Sequence, residues 1–131
     1  MELIKDWDEP TYRDIAKKSE SKQAVLDVKH TRLLYWSHKG IVPYSIRYED
    51  KSMLMAYFTR ASCRVIGIAT DKQYQGQGLA GRLLKVTEIQ ASRRGIQRIY
   101  TVTTEGRAFY EKYGYTVTGR REKGWELTKK I

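Results

Sequence analysis

The stretch from Val65 to Leu79 constrains this chain more than any other. An apolar, strand-like run, Val65 to Ala69, is followed by Gln73-Tyr74-Gln75-Gly76-Gln77-Gly78 and then by an apolar-periodic helix that opens at Leu79. A strand feeding a helix through a glycine turn leaves the first-turn N–H groups of that helix, which have no intrahelical partner, at the end of a sheet. Aligned peptide dipoles add about half a positive charge at the same place, so the arrangement suits an anion, and a phosphate above all. Gly76 and Gly78 let the loop take positive φ and let a pyrophosphate approach the backbone. The spacing is neither the G-x-G-x-x-G of dinucleotide sites nor a P-loop, which ends in Gly-Lys-Ser/Thr.

A second segment, Ala108-Phe109-Tyr110-Glu111-Lys112-Tyr113-Gly114-Tyr115, follows a strand-like run at Ile99 to Thr103 and precedes another from Tyr115 to Thr118. It reads as a short helix with Ala108, Phe109 and Lys112 along one side, Phe109 in the core, and Gly114 as a left-handed C-cap. Written as Gln-x-x-Gly-x-Gly after a strand, the first segment resembles the acetyl-CoA pyrophosphate loop of the GNAT superfamily of N-acetyltransferases. The second is similar to the late helix of that family, Phe-Tyr-Glu-Lys-x-Gly-Phe. The two motifs occur in the family's order, and the resemblance runs from about Met53 to Val117.

The resemblance implies an α/β (α+β) fold: a mixed central sheet of about six to seven mostly antiparallel strands, splayed at the cofactor site and flanked by about four helices. It implies acetyl-CoA as co-substrate, with the backbone of Ile66, Gly67 and Ile68 beside the pantetheine arm. Gln73, Tyr74, Gln75, Gly76, Gln77, Gly78 and Leu79 would then wrap the pyrophosphate, with Arg82 as an outlying cation or a plain solvated residue. By its place in the second motif, Tyr110 corresponds to the family's catalytic tyrosine, a general acid for the departing thiolate; a phenol with an ordinary pKa near 10 can serve. Lysine-acetylating members carry a glutamate early in the central strand. Ser62 stands there in this chain, which leaves Glu49, Asp50 or Glu105 as water-mediated bases. Thr103 replaces an asparagine that many members have before the late helix. Cys63 reads as a small core residue rather than an acyl carrier.

Length bounds the organisation: 131 residues make one domain, 1–131, with room for one core. A single cysteine and two histidines, His30 and His38, offer no metal-binding pattern, and no metal is expected. No apolar stretch has the length of a membrane span and the charged N-terminus is unlike a secretory signal, so a cytoplasmic protein away from membranes is expected. The formal net charge of +10, from 25 Lys and Arg against 15 Asp and Glu, admits a nucleic-acid or ribonucleoprotein partner as well as plain solubility. The acceptor is an amine on a small molecule, a protein or an RNA-associated partner, and family members often form homodimers. The alternative reading is a non-catalytic acyl-CoA-binding or nucleic-acid-associated module with the same fold.

The N-terminal third gives weaker periodicity. Asp8-Glu9-Pro10-Thr11 supplies cap and first-turn chemistry for a helix to about Lys18, with Tyr12, Ile15 and Ala16 on its apolar side. A short helix is expected over Lys22 to Lys29, and strands over Arg32 to Trp36 and Ile41 to Tyr48, where Pro43 belongs at an edge or a start. Two further strands, Met53 to Thr59 and Cys63 to Ala69, pair antiparallel across a short turn, and a last one covers Gly124 to Thr128.

Overall fold

A strand buried on both faces needs cover on both sides of its sheet, and Ser52–Phe58 is buried at every position. The computed structural model describes residues 1–4, 6–21 and 40–131. Its strands are β1 (Glu2–Ile4), β2 (Val42–Tyr48), β3 (Ser52–Phe58), β4 (Cys63–Thr70), β5 (Arg98–Thr103), β6 (Thr116–Arg121) and β7 (Gly124–Lys130). Its helices are α1 (Glu9–Ser19), α2 (Leu79–Arg93) and α3 (Arg107–Lys112). The sheet order is β1-β2-β3-β4-β5-β7-β6, antiparallel throughout except for β4 and β5, which α2 joins by a parallel crossover.

Alternate residues of β3 supply the two cores. Met53 and Met55 pack with Tyr12, Ile15 and Ala16 of α1. Leu54, Ala56 and Phe58 pack on the other face with Leu83, Leu84 and Ala91 of α2. The spacing of Tyr12, Ile15 and Ala16 is what brings them to one side of α1, and Asp8 caps that helix by accepting from the Thr11 N–H at 3.3 Å. Gly114, at φ 92°, closes α3: its N–H donates to Glu111 O and that of Tyr115 to Tyr110 O, both at 3.1 Å.

Seven strands match the expected number, but by a different set. β1 was not foreseen, because three residues show no period and its Leu3 is exposed; the pairing of Glu2 with Arg47 and an ion pair between them at 2.8 Å hold it. The expected strand Arg32 to Trp36 and helix Lys22 to Lys29 lie outside the described residues, within which there are three helices rather than about four. Pro43 sits near the start of β2, ahead of the residues that pair with β1, where its missing N–H breaks no ladder bond.

The first residue of β7, Gly124, faces β5 without room to spare. A Cβ there would stand 2.6 Å from the carbonyl oxygen of Thr103, a backbone atom that moves only if the sheet moves. Gly124→Ala is expected to cost about 1–3 kcal/mol and to lower Tm by about 3 °C or more in a thermal melt; an unchanged Tm would contradict this packing.

Candidate active site

β4 and β5 run together for three pairs only, Cys63 with Ile99, Arg64 with Tyr100 and Val65 with Thr101. Beyond Val65 they part. On the other side of β4, Ala56 pairs with Val65 and Met55 with Gly67, so Ile66 is an extra residue, a bulge that bends the strand. The groups left over at this irregularity are met by side chains: the Trp7 indole N–H donates to Ala56 O at 2.7 Å and the Thr101 hydroxyl to Val65 O at 2.9 Å. From Ile66 onward the β5 side of β4 has no strand partner.

The fork opens into a cleft of about 410 Å³, whose walls include Ile66, Gly67 and Ile68 of β4, Thr103 of β5, and Glu105, Phe109 and Tyr110. A second cleft of about 340 Å³ adjoins it, lined by Tyr74, Gly76, Gly78, Leu79, Lys112 and Tyr113 among others. Ile68, Gln75, Ala80 and Phe109 border both. Both fall in the size range of small-molecule sites.

The loop between β4 and α2 is built mostly by its own hydrogen bonds. The Asp71 carboxylate accepts from the Gln73 N–H at 3.0 Å and opens a single turn of 3₁₀-helix, Lys72–Tyr74. The Gln75 amide donates to Thr70 O at 3.1 Å and to Ser19 O at 3.3 Å, which ties the loop to the ends of β4 and α1. Gly76 and Gly78 stand at φ 80° and 79°. A Cβ at either would meet nothing within 4 Å, so their glycines answer to backbone conformation rather than to a protein neighbour. In the first turn of α2, a Cβ on Gly81 would collide with the hydroxyl end of Tyr113, and that closeness seats the phenol against the helix start. Of the seven loop residues named from the sequence, Tyr74, Gln75, Gly76, Gly78 and Leu79 line the clefts; Gln73 and Gln77 do not. Arg82 is exposed on α2 and also lines neither, whereas Lys112 does.

α3 carries the expected stripe with one correction. Phe109 and Lys112, three apart, do share a side, but that side is the wall of the second cleft. Phe109 is half-buried, and the core position belongs to Tyr110, 5% exposed. The Tyr110 ring is held edge-on by Phe109 at 5.1 Å and by Tyr115 at 5.4 Å between centroids. Tyr115 donates to the Glu88 carboxylate at 2.8 Å, and Lys129 Nζ bonds the same carboxylate at 3.0 Å. Burial, followed by the Glu88 charge, drives the Tyr115 hydroxyl far above its ordinary pKa. This cluster joins α3 to α2 and β7 through residues far apart in sequence, and no local pattern announces it.

The three candidate carboxylates separate cleanly. Glu49 pairs with Lys51 at 2.9 Å and Asp50 with Arg47 at 3.1 Å, in the β2–β3 turn, and neither lines a cleft. Glu105 lines the larger cleft and accepts from the Ser21 hydroxyl at 3.3 Å. Ser62 is bound into the β3–β4 turn by Thr59, whose hydroxyl accepts its N–H at 3.1 Å. Thr103 accepts the Gly106 N–H at 2.8 Å and so holds the start of α3 while facing the cleft. Cys63 is fully buried in the α2-side core. Among the described residues no group of three or more His, Cys, Asp or Glu is placed to hold a metal ion, and no helix is long and apolar enough to cross a membrane.

Two tests follow from this geometry. Gln75→Ala removes both loop clips and is expected to speed hydrogen exchange of the Lys72 to Gly78 amides about 5- to 30-fold, one or two kcal/mol of local stability; unchanged exchange would show the loop to be held otherwise. Burial pushes the Cys63 thiol from 9.0 to about 12 and the Tyr44 phenol from 10.0 to about 12. The folded groups keep protons that the unfolded ones lose, so this stability is full below about pH 9 and drains away as pH rises toward 12. The urea midpoint should therefore fall between pH 9 and 11, and a level midpoint over that range would contradict the burial.

A family model described as an acetyltransferase (GNAT) domain matches residues 40–117. No curated protein sequence matches the chain significantly. Among solved structures, the PaiA N-acetyltransferase from Thermoplasma acidophilum in complex with coenzyme A aligns with TM-score 0.74 and 15% identity, covering 99% of this chain and 98% of that one. A GNAT family acetyltransferase from Elizabethkingia anophelis with acetyl-CoA bound aligns with TM-score 0.68 and 16% identity, covering 99% and 97%. The ribosomal-protein-S18-alanine N-acetyltransferase from Escherichia coli aligns with TM-score 0.68 and 16% identity, covering 97% and 90%. At such identities the likeness is one of fold; the family model spans more than half of the chain, and together with the forked sheet it makes this protein a member of the GNAT acetyltransferase family.

Proposed function

We propose that the protein is an acetyl-CoA-dependent N-acetyltransferase that transfers an acetyl group to a primary amine by direct attack on the thioester. The observation that carries this is the fork at Val65, which leaves one side of Ile66, Gly67 and Ile68 without a strand partner and leads at one end to the glycine loop and at the other to Tyr110. Structural neighbours named as bound to coenzyme A or acetyl-CoA support the same reading.

The residues present fit that ligand. The β4 edge offers backbone donors and acceptors to an amide-bearing arm, as a missing strand would. The N–H groups of the loop and of the first α2 turn suit a diphosphate, and Lys112 adds a cation beside them. Acetyl-CoA supplies an acetyl group activated as a thioester; everything else falls to the protein. The cleft walls hold the amine beside the thioester, which lowers the entropic barrier. Glu105 takes a proton from the acceptor ammonium through a water molecule, which leaves the neutral amine to attack. As the new C–N bond forms and the C–S bond breaks, Tyr110 donates its phenolic proton to the departing thiolate, and the proton released from the new amide nitrogen restores the phenol. A carboxylate on the wall also favours a cationic acceptor. The fold leaves the acceptor's identity open: neighbours are named for aminoglycosides and for a ribosomal-protein alanine.

The second reading, an acyl-CoA-binding module without turnover, draws on Ser62, whose place in a hydrogen-bonded turn puts no carboxylate at the family's usual position. Titration with acetyl-CoA, coenzyme A and ATP in a thermal melt distinguishes binding from its absence: Tm should rise with both coenzyme A species and stay level with ATP. On an amine panel, Tyr110→Phe is expected to lower kcat about 100-fold or more while acetyl-CoA Kd changes by less than about threefold. Glu105→Gln should lower kcat/KM about 100-fold or more. Binding without turnover on any amine would favour the module, and full activity in Tyr110→Phe would remove that residue from the chemistry.

A further inference from the structure

Six cations converge at the end of the molecule opposite the cleft. Arg60 lies in the β3–β4 turn, Arg64 near the start of β4, Arg93 and Arg94 at the C-terminus of α2, Arg98 at the start of β5 and Lys130 at the end of β7. The topology assembles them: Phe58 pairs with Cys63, Cys63 with Ile99, and Arg98 with Lys130, so four strand ends form one rim. Arg94 fastens α2 to that rim, its guanidinium 4.3 Å from the centre of the Phe58 ring. The cleft begins at the other end of α2, fifteen residues away, a distance of about 22 Å.

Among the described residues none of the six forms an ion pair. Glu88 and Glu126, whose charges reach Cys63 and Arg98 respectively, are bonded to Tyr115 and Lys129 and to Arg121 and Thr118. A helix C-terminus carries about half a negative charge, enough to account for one cation at α2 but not for six. Crowding like charges without counter-charges raises the free energy of the isolated protein, and a polyanion relieves it.

Three of the cations share one face of the sheet, and Arg94 stands on the other. Arg64 and Arg98 lie over the same ring, 6.0 and 5.1 Å from the centre of Tyr100, and Lys130, cross-strand from Arg98, shares their face. Arg94 lies over Phe58, which belongs to the core on the opposite, α2 face. Duplex nucleic acid carries one negative charge per about 1.7 Å of axis, twice the density of a single strand, and so suits an uncompensated cationic rim. Five of the six are arginines, whose planar fork binds phosphate in two places at once. Val42 and Ile89 are the large exposed apolar residues toward this end among those described, and both are aliphatic, whereas a protein interface centres on aromatic and arginine anchors in an apolar surround.

We infer that this pole docks on duplex nucleic acid through its phosphate backbone. Contacts of this kind position the protein without reading sequence, and they leave the cleft at the far end free.

The test is fluorescence anisotropy with a labelled 20-base-pair DNA duplex, the matching 20-nucleotide single strand and a 20-residue poly-glutamate, from 50 to 200 mM salt. The duplex should bind tightest, with a log–log salt slope of about −5 if all six cations engage. Arg60→Gln/Arg93→Gln/Arg98→Gln should weaken duplex binding about tenfold or more and reduce the slope by about 3, while keeping the wild-type thermal shift with acetyl-CoA. Lys17→Gln/Lys18→Gln/Lys85→Gln, which removes as much charge from α1 and the middle of α2, should change affinity less than threefold. Equal losses in the two triple variants, a single strand or poly-glutamate bound as tightly as the duplex, or no binding at 50 mM salt would each overturn the assignment. None of these results bears on the acetyl-CoA reading, which fails only if the coenzyme A thermal shift is absent from the wild-type protein.

Discussion

The β4–β5 pairing stops after three residues, and the rest of the molecule is organised around that stop. Parting two adjacent strands in the middle of a sheet strands backbone donors and acceptors, and each one buried without a partner costs about 1–3 kcal/mol. The protein confines that cost by providing side chains at the branch: Thr101 takes the Val65 carbonyl and Trp7 the Ala56 carbonyl. The bulge at Ile66 gives the bend, α1 and α2 clamp β3 and β4 from both faces, and α3 closes the far wall. The groups still open beyond Val65 are those the family reading assigns to a ligand, so the defect in the sheet and the site are one feature.

Much of this was legible in the sequence because it is local. Gln73 to Gly78 announces a strand–loop–helix passage through its glycines, and both take the positive φ that the turn requires. Helix limits followed from Asp8 and Gly114, whose cap chemistry needs only neighbours. What escaped depends on register or on distant contacts. The bulge at Ile66 exists only relative to Met55 and Ala56. Phe109 and Tyr110 are adjacent aromatics, and only the position of Tyr115 and the cleft decides that Tyr110 is buried behind the larger cleft while Phe109 is half-buried between both. Lys112 and Arg82 are both single basic residues on short helical stripes; their distance from the loop is set by how α3 crosses α2. Glu105, Glu49 and Asp50 all read as turn carboxylates, and only the topology brings Glu105 to the fork.

Charge is divided in the same economical way. Surface pairs at the cleft end, such as Lys72 with Glu20 at 2.8 Å, neutralise the loop that an anion would approach, and leave backbone dipoles and Lys112 to receive it. Exposed pairs of this sort add little stability, so their effect is on local potential and loop position. At the opposite end the pairing is missing and the excess accumulates. α2 thus has no acidic residue in its first turn, which leaves its N–H groups open to an anion, and a cationic finish that the helix dipole favours.

The Tyr113 phenol fills the space that a side chain at residue 81 would occupy. A substitution at 81 therefore cannot be accommodated alone: an alanine there demands a smaller residue or a different rotamer at 113, and a smaller residue at 113 leaves a void against the helix start. The two positions should drift together over evolutionary time, and the width of the loop end of the site is inherited as a pair of residues rather than as either one.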